Sequence, residues 1–237
     1  YNKQLSFVDA IKYLHNLLGL QYSYKKQTQK KEEKFNPLEV FHKIQRSKKR
    51  VNVEDIHVLD EDILDNYIPL LHLSWVREGI TERARSKFGI AYSFKRNRIM
   101  IPHRWWLTGE LLGFNARTAL DNYEEFGVKK YYISEGMNKA LNLYGLYENR
   151  KEIEKIGYVT VFESEKSVLK RCSLFDDSGV ALSGHSLSEE QRRILLSLNV
   201  KEIVISLDKD ININEVRHMC EQFYLIKPVS YIYDKYD

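Results

Sequence analysis

Three carboxylates sit where two β-rich runs stop. Tyr158-Val-Thr-Val-Phe-Glu163 ends on one acid; Lys201-Glu-Ile-Val-Ile-Ser-Leu-Asp208-Lys-Asp210 ends on two, with one residue between them. Residues i and i+2 of an extended chain point the same way, so Asp208 and Asp210 can face one site together. A donor set made only of carboxylate oxygens suits a hard cation, Mg²⁺ or Mn²⁺ rather than Zn²⁺. On spacing alone, the same acids also read as exposed strand tips that open helices, where negative charge is favoured by the helix N-terminus.

Both runs stay apolar without alternation up to their polar tips, which predicts parallel strands buried on both faces. Helix-like stretches follow each tip, at 164–172 and 214–224. Strand, acid and helix, twice over, is how an open α/β sheet places ligands outside the carboxyl ends of its strands. The predicted fold class is therefore α/β: a parallel sheet flanked by helices, preceded by a smaller α+β basic subdomain.

Upstream, residues 6–20 predict an amphipathic helix with Ser6 as N-cap, a stripe of Phe7, Ile11, Leu14, Leu17 and Leu18, and Gly19 as its stop. From Lys25 to Arg50, ten Lys or Arg stand against three Glu. This composition fits a solvated linker somewhat better than a dedicated nucleic-acid tail. Residues 51–67 read as helical or mixed, and 74–88 as two short helices around Gly79. Arg96-Asn-Arg98-Ile-Met-Ile-Pro102 predicts a strand, turned at Thr108-Gly109 into Leu111–Arg117. Such a hairpin carries Arg96, Arg98 and Arg117 on neighbouring strands. Trp105 and Trp106 fall at its turn, where they stack on bases or, more commonly for such pairs, cover the core.

The chain of 237 residues, net charge +4, is long enough for one large domain or two small ones. With 43% hydrophobic and 30% charged residues it reads as globular. No apolar run reaches the roughly 18–20 residues that span a bilayer, and there is no signal-peptide pattern. Cys172 and Cys220 form no CxxC pair, which argues against structural zinc and disulfides and fits a reducing cytoplasm. The chain reads as a fragment of a longer protein, ending just after an apolar strand-like run.

Glu163 followed some 45 residues later by Asp208-Lys-Asp210 resembles the Toprim fold. Further elements narrow the resemblance to DnaG-like primases. Arg98-Ile-Met-Ile-Pro102, Gly109 and Gly113-Phe-Asn-Ala-Arg117 resemble that family's "R-hydrophobic-F-P … G … GF-G-G-R" passage. Lys130-Tyr-Tyr-Ile-Ser134 is similar to "KYLNS", and Lys139 with Leu143-Tyr-Gly-Leu146 to "K-x-x-x-LYGL". Ser183-Gly-His-Ser-Leu-Ser-Glu-Glu-Gln191 is similar to "GT-x-LT-x-x-Q".

The resemblance implies a primase RNA-polymerase core that makes short RNA primers on single-stranded DNA from nucleoside triphosphates. By motif match, Glu163, Asp208 and Asp210 would be catalytic and hold Mg²⁺ or Mn²⁺. Arg117, Lys130 and Lys139 would meet template or nucleotide phosphates, with Arg96 and Arg98 lining the same groove. It also implies a cytoplasmic enzyme, bacterial or phage-encoded, that meets a replicative helicase through regions outside this chain. The implied organisation is 1–50 N-terminal helix and basic linker, 51–157 basic nucleic-acid-binding subdomain, and 158–237 Toprim-like subdomain cut short at its C-terminus.

The chain departs from the family's "E-G-x-x-D" at Ser164 and Ser167, and from "D-G-D-x-A-G" at Lys209. It is therefore expected to be a divergent member, with one metal contact in question. Glu165 would compensate in part, although on a helix it would point elsewhere. Two other readings stand beside primer synthesis: a metal-dependent Toprim nuclease, and a DNA-binding module with weakened metal binding. A topoisomerase lacks a separate domain with a candidate nucleophilic tyrosine.

Overall fold

The computed structural model describes residues 13, 14, 16–19, 56–209 and 211–232. Residues 1–48 and 49–237 form separate compact units. In the first, Tyr13, Leu14, Asn16 and Leu17 are helical, and Gly19 takes φ +66°, the left-handed stop expected of it. The basic stretch from 25 to 50 lies outside the described residues, as does Asp210.

The second unit holds two four-stranded sheets. The first is antiparallel, in the order β1 (Ala91–Ser93), β2 (Arg98–Arg104), β3 (Leu111–Thr118), β4 (Tyr131–Ile133). Two short helices precede it, α1 (Leu73–Arg77) and α2 (Glu82–Phe88), separated by Gly79 as the sequence suggested. Residues 61–66 form a 3-10 helix capped by Asp60. After β4 and α3 (Leu146–Ile156) comes the second sheet, with strand order β6-β5-β7-β8. Its strands are β5 (Tyr158–Phe162), β6 (Gly179–Ala181), β7 (Glu202–Ser206) and β8 (Val229–Tyr231), all parallel. Between them run α4 (Glu165–Ser173), α5 (Glu189–Ser197) and α6 (Ile213–Glu221).

Strand alternation divides β5 between two cores. Val159 and Val161 face α3, α5 and α6, joining Ile153, Leu195, Ile203 and Val216. The opposite face meets α4, whose Val168, Leu169 and Cys172 pack with Phe88, Ile99 and Ile101 from the antiparallel half. Helix α4 thus lies between the sheets and belongs to both. Arg83 and Lys87 of α2 reinforce the join by gripping Asp177, at 2.6 and 2.8 Å.

Two glycines of the hairpin are fixed by space. At Gly109 (φ +88°) a Cβ would stand 2.2 Å from the Tyr147 ring, and at Gly113 (φ +152°) 2.9 Å from Ser134 Cβ. Gly113 opposes His103, next to the register shift between His103 and Arg104. The motif residue Gln191 is structural as well. It closes a capping box with Ser188, and its buried amide donates to the carbonyls of Lys139, Asn142 and Leu182.

Candidate active site

Glu163 follows β5 directly, and Asp208 lies two residues beyond β7. These strands are parallel neighbours, with Phe162 opposite Ser206. Such strands lie about 4.8 Å apart, so the two acids occupy adjacent tips of one sheet edge. Asp208 is exposed. Glu163 is mostly covered, its side chain 14% exposed, and its Oε1 is 2.8 Å from His185 Nδ1. Sequence reasoning assigned no role to His185, which stands where the motif has threonine. Among the described residues no three His, Cys, Asp or Glu side chains gather closely enough to hold a metal ion, and Asp210 lies outside them. The described donors are nevertheless carboxylate oxygens on neighbouring tips, a set that fits a hard divalent cation.

On the next turn Glu165 points away from the acids, as its place on a helix implied. Glu165 does not compensate for the missing acid at Ser167. It is buried at the start of α4 and turned to the antiparallel sheet, with Oε1 3.1 Å from His103 Nε2 and 2.9 Å from Asn115 Nδ2. Burial would raise its pKa, but His103, Asn115 and a backbone N–H outweigh that and hold it at about 2. Ser167 is 3.2 Å from Ser164, hydroxyl to hydroxyl.

Arg98 and Arg117 do not share one face of the sheet. Directly paired residues of an antiparallel sheet share a face, and successive residues alternate. Arg98 pairs with Thr118 and Arg117 with Ile99, so the two arginines point to opposite faces. Arg117 shares its face with Ile99, His103, Asn115 and Tyr131, the side turned towards α4 and the acids. It lies over the Tyr131 ring, 5.8 Å from guanidinium carbon to centroid. Burial raises the Tyr131 pKa; the Arg117 charge lowers it and those of Glu165 and Asp208 raise it, so the phenol sits within electrostatic reach of both halves.

Arg98 is committed elsewhere, donating to the carbonyls of Ala116 at 3.0 Å and Lys129 at 2.8 Å. The expected strand from Arg96 begins only at Arg98, because Asn97 (φ +48°) is in a turn. Arg96 is exposed and borders a cleft on the outer face with Met100, Phe114 and Tyr132. Lys130 is exposed just before β4. Lys139 opens a 3-10 turn, Lys139–Leu141, that packs against α5. Trp106 packs on the parallel-sheet core, which favours cover over stacking.

Two cations absent from the sequence reading join Arg117. Lys166 and Lys170, one turn apart on α4, both approach Glu78, at 2.6 and 3.5 Å. Burial lowers the Lys166 pKa, and the charges of Arg117 and Lys170 push it the same way, marking three neighbouring cations around one carboxylate. The i, i+4 spacing of Lys166 and Lys170 was the available signal.

No family model matches the sequence. The chain is similar to the SPbeta prophage-derived uncharacterized protein YorJ of Bacillus subtilis (strain 168), 32% identical over 237 residues, covering 96% of this chain and 61% of that protein. It is similar to a DNA primase of Halalkalibacterium halodurans, 31% identical over 130 residues, 53% of this chain and 20% of that one. The chain therefore spans less than two thirds of these relatives. Among solved structures, the Aquifex aeolicus primase (zinc-binding and RNA polymerase domains) superposes with a TM-score of 0.61 at 20% identity, over 98% of this chain and 62% of that one. A DnaG primase catalytic domain bound to single-stranded DNA gives 0.60 at 16% identity, over 83% and 74%. No helix among the described residues is long and apolar enough to cross a membrane. The chain has the fold of the DnaG-type primase catalytic core, in a divergent form.

Proposed function

We propose that the chain is the catalytic core of a primase-type nucleotidyltransferase, joining ribonucleotides into a short RNA primer on single-stranded DNA. One observation carries this reading. Glu163 and Asp208 end adjacent parallel strands beside the sheet face that bears Arg117 and Tyr131. The likeness to a DnaG core bound to single-stranded DNA supports the choice of template.

In this reading Glu163, Asp208 and Asp210 would hold Mg²⁺ or Mn²⁺, which supplies charge neutralisation at the triphosphate and acidification of the attacking 3′-hydroxyl. Arg117 offers a fork of N–H donors that fits phosphate oxygens. Tyr131 beside it offers a ring face on which a base can stack. Lys166 and Lys170 extend the positive strip, and Glu78 limits its charge. The Glu165 contacts to His103 and Asn115 set the acid edge at a fixed position relative to that strip.

The test is incubation with a single-stranded template, labelled ribonucleotides and Mn²⁺. Short RNA products are expected from the wild type and none from Asp208→Ala. Strand cleavage without synthesis would replace this reading with a nuclease. A second reading, a single-stranded-DNA-binding module with a weakened metal site, is favoured by the His185–Glu163 contact and by Ser167 in place of an acid. It predicts no product and DNA affinity independent of Mn²⁺.

A further inference from the structure

A cleft of ≈ 490 Å³ opens beside the acids, between the loop before α5 and helix α6. Its volume lies in the range of about 300–1,000 Å³ usual for small-molecule sites. Two of its walls adjoin the acidic tips directly. His185, which touches Glu163, forms one wall; Leu207, next in sequence to Asp208, forms another. Leu187, Leu207 and Met219 make the lining apolar, and Asn214 and Gln222 stand at its rim.

The rim amides are free to recognise something. Asn214 uses its backbone N–H on Asn212 Oδ1, and Gln222 uses its carbonyl on Arg192. Among the described residues neither side-chain amide has a hydrogen-bond partner. A carboxamide presents one acceptor and two donors, the complement of a nucleobase edge, whereas an apolar lining suits the base's ring face. The lining holds no Lys or Arg to attract a phosphate; its titratable side chains are His185, His218 and the acid Glu215.

Resting on the primase reading, we propose that this cleft holds the nucleobase of a nucleoside triphosphate whose phosphates lie at Glu163 and Asp208. Leu187, Leu207 and Met219 would pack on the ring, and Asn214 and Gln222 would meet its edge. His185 would stand at the boundary between the base and phosphate regions.

The experiment compares two probes by calorimetry in Mn²⁺ on the intact chain: ATP, and inorganic tripolyphosphate, which has no base. Wild type is expected to bind ATP about tenfold more tightly than tripolyphosphate, the worth of one stacked base. Asn214→Trp, placed at an exposed helical position so that folding is kept, should remove that difference and leave tripolyphosphate affinity unchanged. The double variant N214A/Q222A should reduce it. Equal binding of both probes by wild type, or ATP binding unmoved in N214W, overturns the cleft and leaves the metal edge standing. An equal loss of both probes in N214W also overturns it, by showing that the cleft takes phosphate. Binding of neither probe to wild type overturns the primase reading, and the cleft with it.

Discussion

His103 Nε2 and Glu165 Oε1 meet 3.1 Å apart in the interior, one from the antiparallel sheet and the other from the helix that begins beside Glu163. Asn115 adds a second donor to the same oxygen. The contact ties the strand that carries His103 to the first turn of α4, so the acid edge and the Arg117 face hold a fixed separation.

Breaking that contact should alter catalysis through geometry. Glu165→Gln preserves shape and hydrogen-bonding capacity but removes the charge. Glu165→Ala leaves His103 and Asn115 without their acceptor, at a cost of about 3 kcal/mol. Thermal unfolding should rank wild type, then E165Q, then E165A. In E165Q, primer synthesis should fall while Mn²⁺ affinity is kept. Equal stability of all three proteins would remove the clamp from the account.

Asp208→Ala should reduce synthesis by more than about a hundredfold with little change in affinity for single-stranded DNA. The exposed side chain leaves no buried group behind, so the melting temperature should stay near that of wild type. Residual activity near wild type would remove Asp208 from the site.

The two arginines on opposite faces give an internal comparison. Arg117→Ala should lower the slope of log affinity against log salt by about one phosphate contact. Arg98→Ala should leave that slope alone and instead destabilise the fold by about 1–3 kcal/mol, because two carbonyls lose a charged donor. The reverse pattern would put the DNA on the outer face.

Asp177 supplies the pH dependence of the join between α2 and α4. Burial would raise its pKa, but Arg83 and Lys87 outweigh that and bring it from 3.8 to about 2. A depressed value in the folded state stabilises above 3.8, and that contribution disappears as pH falls towards 2. Arg83 is partly exposed, so after solvent screening the effect at neutral pH is about 1–2 kcal/mol. Denaturant midpoints of wild type and Asp177→Asn should therefore differ at pH 7 and converge near pH 2. A constant difference across that range would contradict the assignment.

Much of the architecture was legible in the chain. The β-branched runs at 158–162 and 202–206 announced parallel strands. The acid tips were legible for the same reason. What escaped was orientation across long separations. Glu165 finds His103 62 residues away and Asn115 50 residues away, which no local period encodes. The turn at Asn97 fixes where β2 begins and hence which arginine faces the acids, and a one-residue change in register reverses that outcome. The cleft beside α6 depends on how a loop and a helix from different crossovers meet, so its lining had no signature in either segment.

Because α4 is packed into the antiparallel half on one side and the parallel half on the other, neither half can slide without tearing apolar contacts on both flanks. The second unit is thereby denied a hinge between its two sheets. Any adjustment around a ligand would therefore fall to the short connections at the strand tips, edges that can give around a stiff frame.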